Sequence, residues 1–378
     1  MTEPVEEAGR IHADLPVFDG HNDLAWALRI RAGGDLDVAD PCKPLDGFQT
    51  DAPRLAEGGV GAQFWSVFMP AWDPAPFQST LGQIDLVGRV VNRCDQLEAA
   101  ATAGDVAAIR ARGHTASLLG AEGGHCIEDS IDALRRLRQL GVRYLTLTHA
   151  DTTSWADSAT DEARHGGLTD FGEEVIREMN RIGMIVDISH VSADTMRHAL
   201  QVTERPVMAS HSSALALADH PRNVPDDVLE LVGENDGVIM VNFYPAFVTQ
   251  AAAEHGTGRF ALARELQKKL GDDAAVDAEL ARSLAEDPYP EVTVADVVDH
   301  IDHIGHITGV AGVDHVGLGS DFDGIDATPL GLEDVSTYPA ITAELLSRGW
   351  EEPEIRQVLG GNALRVLAAN DVPFPSAP

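Results

Sequence analysis

Eight short apolar runs recur along the chain, and six of them end in a histidine, aspartate or glutamate. The runs are Val17-Phe18, 60–68, 116–120, 142–148, 184–188, 206–209, 238–242 and 315–319. The run 142–148, VRYLTLT, carries the β-branched and aromatic residues that strands favour, and most of the stretches between runs carry helical spacing. Helix over 171–182 places Val175, Ile176 and Met179 on one face, and Ser192 suits the N-cap of a helix over 193–201. Strands alternating with helices give a parallel sheet. Eight of them close most economically into a (β/α)8 barrel, whose chemistry sits at the C-terminal strand ends.

Two stretches depart from the alternation. Residues 250–298 form a charged helical insertion before the last strand, suited to a lid or a subunit contact. A helix over 352–368, with Ile355, Val358, Leu364 and Leu367 at helical spacing, is placed to close the barrel. Residues 79–111 read as one helix. No repeat or linker divides the 378 residues, so one barrel domain over 1–378 is expected.

The polar residues at the strand ends form one constellation. The first run delivers His21 and Asp23, two apart and therefore on one side of an extended backbone. The third delivers Glu122, the fourth His149, the fifth His190, the sixth His211 and the eighth Asp321. Any one of them fits a polar turn. Seven at the same end of one closed sheet converge on one mouth. Imidazole and carboxylate without thiolate suit Zn²⁺, with Mn²⁺, Fe²⁺ or Co²⁺ as other occupants, and Glu122 in its Gly-flanked loop can bridge two ions. His300, His303 and His306 precede the last strand and are expected on a solvated helix face. His125 is expected to support Glu122, and Cys126 to pack.

Charge narrows the partners. Acidic residues number 61 against 27 basic, a formal charge of −34, which disfavours nucleic acid and anionic membrane. Cys42, Cys94 and Cys126 form no CxxC and no dense framework, which fits a reducing cytosol. The first residues show no apolar signal segment and the last no anchor, so a cytoplasmic location is expected.

The stretches PVFDGHNDLAW (16–26), AEGGHCI (121–127), VRYLTLTHADTTSWADSA (142–159), IVDISHVS (185–192), PVMASHSSA (206–214), RNVPDDVL (222–229), VNFYPAF (241–247) and VGLGSDFDGI (316–325) carry a resemblance through most of the chain. In that order they resemble the renal (membrane) dipeptidase family, binuclear zinc peptidases of the amidohydrolase superfamily. The resemblance implies an amidohydrolase-type barrel that hydrolyses dipeptides bearing a free C-terminal carboxylate, by a hydroxide bridging two zinc ions. His21 and Asp23 would hold one zinc, His190 and His211 the other, and Glu122 would bridge them. His149 would stabilise the developing oxyanion and Arg222 would pair with the substrate carboxylate. Tyr244 would line the pocket, and Asp321 would carry the proton, with Asp323 its rival. A homodimer is expected. Other reactions of the superfamily, such as lactone or amide hydrolysis or deamination, are the competing enzyme reading; a non-catalytic metal-binding barrel is the reading from another class.

Overall fold

All eight runs form parallel strands of one closed barrel, and a ninth, very short strand is appended to it. The structure is a computed structural model and describes residues 3–15, 17–298 and 303–374. The strands are β1 (Val17–Asn22), β2 (Val60–Ser66), β3 (Leu97–Ala99), β4 (Thr115–Glu122), β5 (Val142–Thr146), β6 (Ile185–Asp187), β7 (Met208–Ala209), β8 (Val238–Val241) and β9 (Val316–Leu318). Their order is β2-β1-β9-β8-β7-β6-β5-β4-β3, and pairing of β2 with β4 closes the ring. Gln63 lies opposite Ser117 and Trp65 opposite Leu119 in that closing pair. β3 borrows the first half of β4, pairing with Thr115 to Ser117, while β5 takes the second half from Leu119 to Glu122.

β3 is a correction to the single helix expected over 79–111. Helix Pro76–Arg93 ends at Cys94, β3 follows, and a second helix runs Ala103–Arg110 from a Thr102–Asp105 capping box. Three residues of strand are too few to interrupt a helical pattern visibly. The helix expected over 352–368 is also broken, into Glu352–Arg356, a wide turn at Gln357–Gly361 and Asn362–Ala369. The break lets backbone lie against β1, since a Cβ at Gly360 would stand 2.9 Å from the Cβ of Phe18. Closure of the barrel floor is as expected. Ala363, Val366 and Leu367 join Phe18, Phe64, Leu118, Ile185, Met208 and Met240 in the cluster that fills the barrel.

Two expectations about side chains need correcting. Cys42 and Cys94 are joined as a disulfide, leaving only Cys126 free and buried. The bond joins the loop after helix Leu24–Ala32 to the end of helix Pro76–Arg93, partners that sequence spacing does not reveal. Such bonds persist in oxidising compartments, so the cysteines no longer argue for a reducing cytosol. His125 makes no hydrogen bond to Glu122 and acts on it only through charge; its Nε2 reaches the carbonyl of Met69 at 2.7 Å. His300 lies outside the described residues, whereas His306 pairs with Asp226 at 2.8 Å on the outer surface, as a solvated helix face implies. No helix among the described residues is long and apolar enough to cross a membrane.

The N-terminal helix Glu3–Asp14 is pinned by a buried histidine. His12 Nδ1–H donates to the carbonyl of Gly58 at 3.2 Å, and Nε2 accepts from Thr342 Oγ1 at 2.7 Å. Burial pushes its pKa down to about 4. The unfolded chain therefore takes up this proton first. The stability His12 contributes is complete above about pH 6.5 and is lost as pH falls toward 4, by up to about 3 kcal/mol. Urea midpoints at pH 7 and 4.5 should fall further for the parent than for His12→Gln. Equal falls would remove His12 from the account.

Candidate metal centre

The C-terminal ends of the strands bring seven of the expected side chains to one spot. β1 carries His21 and is followed directly by Asp23, β4 ends on Glu122, and His149, His190, His211 and Asp321 follow β5, β6, β7 and β9. Among the described residues, only six non-glycine residues have positive φ, and three stand here: His190 (66°), Asp321 (68°) and Asp323 (66°). Such backbone persists where surroundings impose it, and functional sites are where it clusters.

Glu122 is the hub. Its Oε2 is 3.5 Å from His21 Nε2, and its Oε1 is 2.9 Å from His190 Nε2, 3.4 Å from His211 Nε2 and 3.9 Å from His149 Nε2. Asp23 Oδ2 and Asp321 Oδ1 approach His21 Nε2 at 3.2 and 4.0 Å. These atoms fall into three overlapping sets that could each hold an ion: His21, Glu122 and His211; Glu122, His149 and His190; His21, Asp23 and Asp321.

The surroundings turn bare nitrogens toward this hub. Tyr144 hydroxyl lies 2.8 Å from His21 Nδ1 and donates to the carbonyl of Gly20, so it accepts from Nδ1–H. Ser210 Oγ gives its proton to Asp187 at 2.6 Å and therefore accepts from His211 Nδ1–H at 2.7 Å. Each imidazole is left with a lone pair on Nε2. Asp187 also accepts from the backbone N–H of Ser189 and from Thr146 Oγ1, which ties the end of β6 to the end of β5. Gly120 makes this possible, since a Cβ there would stand 2.0 Å from the Tyr144 ring.

Such a hub requires positive charge. His190 and His211 Nε2 approach to 2.9 Å, and burial holds both rings well below the usual imidazole pKa, so neither is readily protonated. His21 Nε2 is buried without a hydrogen-bond partner. Burial opposes a charged His21, but Tyr144, Glu122 and Asp23 outweigh it and raise its pKa well above the ordinary value. Burial, with the Asp23 and Glu122 charges added, pushes the Asp321 carboxyl up to about 8. Divalent cations among these donors relieve every one of these conflicts, and imidazole together with carboxylate is a donor set that holds such ions. The residues present fit the metals.

The remaining expected residues line a cavity of about 950 Å³ above the hub. Arg222 is 2% exposed, with Nη1 3.5 Å from Ser212 Oγ, Nη2 3.4 Å from the carbonyl of His211, and its carbon 5.2 Å from the Phe247 ring. No described carboxylate lies within ion-pair distance of it. Burial lowers its pKa to about 10, so it stays charged near neutrality. His149 is the most open of the cluster histidines, its ring 4.5 Å from Phe68 and 4.4 Å from His190. Tyr244 forms part of the wall and meets Tyr289 hydroxyl to hydroxyl at 2.5 Å.

Asp321 and Asp323 both line the cavity and differ in their partners. Asp321 Oδ2 accepts from Asn242 Nδ2 at 2.9 Å, while Oδ1 faces His21. Asp323 Oδ1 accepts from the backbone N–H of Gln49 at 2.9 Å and belongs to none of the three donor sets. Sequence reasoning passed over Tyr144, Ser66 and Asn242. Ser66 Oγ donates to Glu122 at 3.1 Å. Asn242 immediately follows β8, the same position that marked the histidines, and could have been found by it. Tyr144 in a strand reads as an ordinary core aromatic.

The membrane dipeptidase family, peptidase family M19, has a family model that matches residues 5–373. Dipeptidase aclJ of Aspergillus oryzae is 42% identical over 366 residues, covering 93% of this chain and 78% of its own. Dipeptidase verJ of Clonostachys rogersoniana is 37% identical over 381 residues, covering 97% and 87%. The probable dipeptidase PvdM from Pseudomonas aeruginosa superposes with a TM-score of 0.81 at 23% identity, over 97% of this chain and 98% of that one. A metallopeptidase from Rhodobacter sphaeroides, solved with a phosphinate mimic of the dipeptide L-Ala-D-Ala, gives 0.73 at 24% identity over 94% and 99%. These two likenesses speak for the barrel.

Proposed function

This chain belongs to the membrane dipeptidase family, peptidase family M19, and from that premise we propose that it cleaves dipeptides bearing a free C-terminal carboxylate at a centre of two zinc ions. His21 and Asp23 would hold one ion, His190 and His211 the other, with Glu122 between them. When bound, the metals supply an activated water and polarise the scissile carbonyl. The chain's own residues do the rest. Arg222 binds the substrate carboxylate, His149 donates to the carbonyl oxygen as negative charge develops there, and Tyr244 borders the side chains. Asp321, held by Asn242 and facing the hub, takes a proton from the attacking water and returns it to the leaving amine.

The observation that carries this reading is the buried guanidinium of Arg222, beside the donor cluster and without a described carboxylate partner. Burying a charge is costly unless it is matched, so the site is built for an anion that arrives with the substrate. A guanidinium offers a planar fork that suits a carboxylate. The dipeptide mimic bound by the Rhodobacter sphaeroides metallopeptidase agrees with that substrate class.

Hydrolysis of one dipeptide in its free and C-terminally amidated forms tests the reading. The free form should be cleaved and the amide scarcely. Arg222→Lys, which gives up the fork, should lose about 1.5–3 kcal/mol of transition-state binding, roughly ten- to hundredfold in kcat/KM. Equal cleavage of the two forms would remove the carboxylate role, and no cleavage of any dipeptide by the metal-loaded protein would remove the reading itself.

A further inference from the structure

The insertion between β8 and β9 roofs the mouth. Helices Gln250–Leu270 and Asp273–Glu286 contribute Ala263, Ala278, Leu280, Ala281 and Leu284 to the cavity wall. Much of that face is alanine, which buries little apolar surface per residue, so packing alone gives the roof a weak hold.

One buried side chain fastens it. Arg259, on the first roof helix, is 7% exposed. Its Nη2 donates to the carbonyl of Leu280 on the second roof helix at 3.0 Å and to Asp326 Oδ2 at 3.0 Å, in the loop after β9. Its guanidinium lies over the Tyr289 ring at 5.3 Å. Tyr289 in turn meets Tyr244, which follows β8. A single cation thus joins both roof helices, the segment after them and two loops of the barrel mouth. A buried charge in so many contacts is costly to remove, because its partners are left unmatched.

We propose that Arg259 is a positioning residue for the reaction: with Asp326 and Tyr289 it holds the roof at a height that limits how many residues a substrate can have. The inference rests on the peptide-hydrolysing reading of the site. An added residue lengthens an extended peptide by roughly 3.3–3.6 Å, a step that a fixed roof refuses and a loosened one admits.

The test uses the full-length, metal-loaded protein with Arg259→Ala, Arg259→Lys and Asp326→Asn. Two quantities are read: kcat/KM for a dipeptide relative to the tripeptide made by adding one residue at its amino end, and hydrogen exchange across residues 250–286. Arg259→Ala should lower the dipeptide-to-tripeptide ratio tenfold or more, raising KM for the dipeptide more than it lowers kcat. Exchange should accelerate in 250–286 and stay unchanged in the barrel strands. Arg259→Lys should restore part of the ratio, and Asp326→Asn should reproduce the alanine result, deciding the matter if Arg259→Ala does not fold. An unchanged ratio overturns the proposal whether or not exchange rises. A parent that cleaves no dipeptide refutes the peptidase reading instead, and unchanged exchange in 250–286 then still refutes the hold of Arg259 on the roof.

Discussion

Glu122→Gln is expected to strip the centre of metal and, with it, of turnover. The substitution preserves shape, and Ser66 Oγ can still donate to the amide oxygen, so the fold has no reason to suffer. What disappears is the one negative charge within 4 Å of four imidazole nitrogens. Removing one partner of a buried charge pair costs about 3–5 kcal/mol, which is roughly two to four decades of metal affinity. The check is elemental analysis after dialysis together with kcat on a dipeptide. The parent should carry two divalent ions per chain and the variant fewer, with kcat falling in step. A parent fully active with one ion or none would refute the two-ion centre; a variant that keeps both ions and its turnover would refute the bridge.

Asp321→Asn is expected to separate metal binding from proton transfer. Asparagine tolerates the φ of 68° at this position and can still pair with Asn242, so the backbone after β9 should hold. An amide cannot carry the proton. kcat should fall roughly 10²–10⁴-fold, the usual size of a general acid–base contribution, while both metals and dipeptide binding remain. Asp323→Asn is the matched control, because its oxygen still accepts from Gln49 N–H and its side chain belongs to none of the three donor sets. It should turn over at close to the parent rate. An inactive, metal-replete Asp323 variant would move the proton route by two residues, and two active variants would place it outside this loop.

These two acids also show where sequence reading stops. Six of the eight barrel strands were legible because a few apolar residues followed by a histidine or an acid form a local pattern, and the barrel forces such ends together; the runs at 60–68 and 238–242 were legible from their apolar residues alone. Asp321 against Asp323 rests on precedence in the sequence, and the structure adds that Asp321 is among the clustered donors while Asp323 bonds to Gln49. β3 went unseen because three residues between two helices carry no period. The Cys42–Cys94 pair went unseen because its closeness depends on the path of a surface loop. Arg259 drew no attention within a charged helix, since the feature that marks it is the contact with Asp326, 67 residues later.

That disulfide bears on more than the location of the protein. Between Ala32 and Ala52 the chain has neither helix nor strand of its own, and this loop supplies Gln49, which holds Asp323, and Thr50, which accepts from Asn22. Cys42 tethers the same loop to Cys94, 52 residues away, a closure whose loss releases roughly 4 kcal/mol of constraint on the unfolded chain. The strand ladder does not run through the bond, so a reductant would slacken the rim before the barrel. Redox potential thereby becomes a setting on the rim: firm where disulfides survive, loose where thiols prevail.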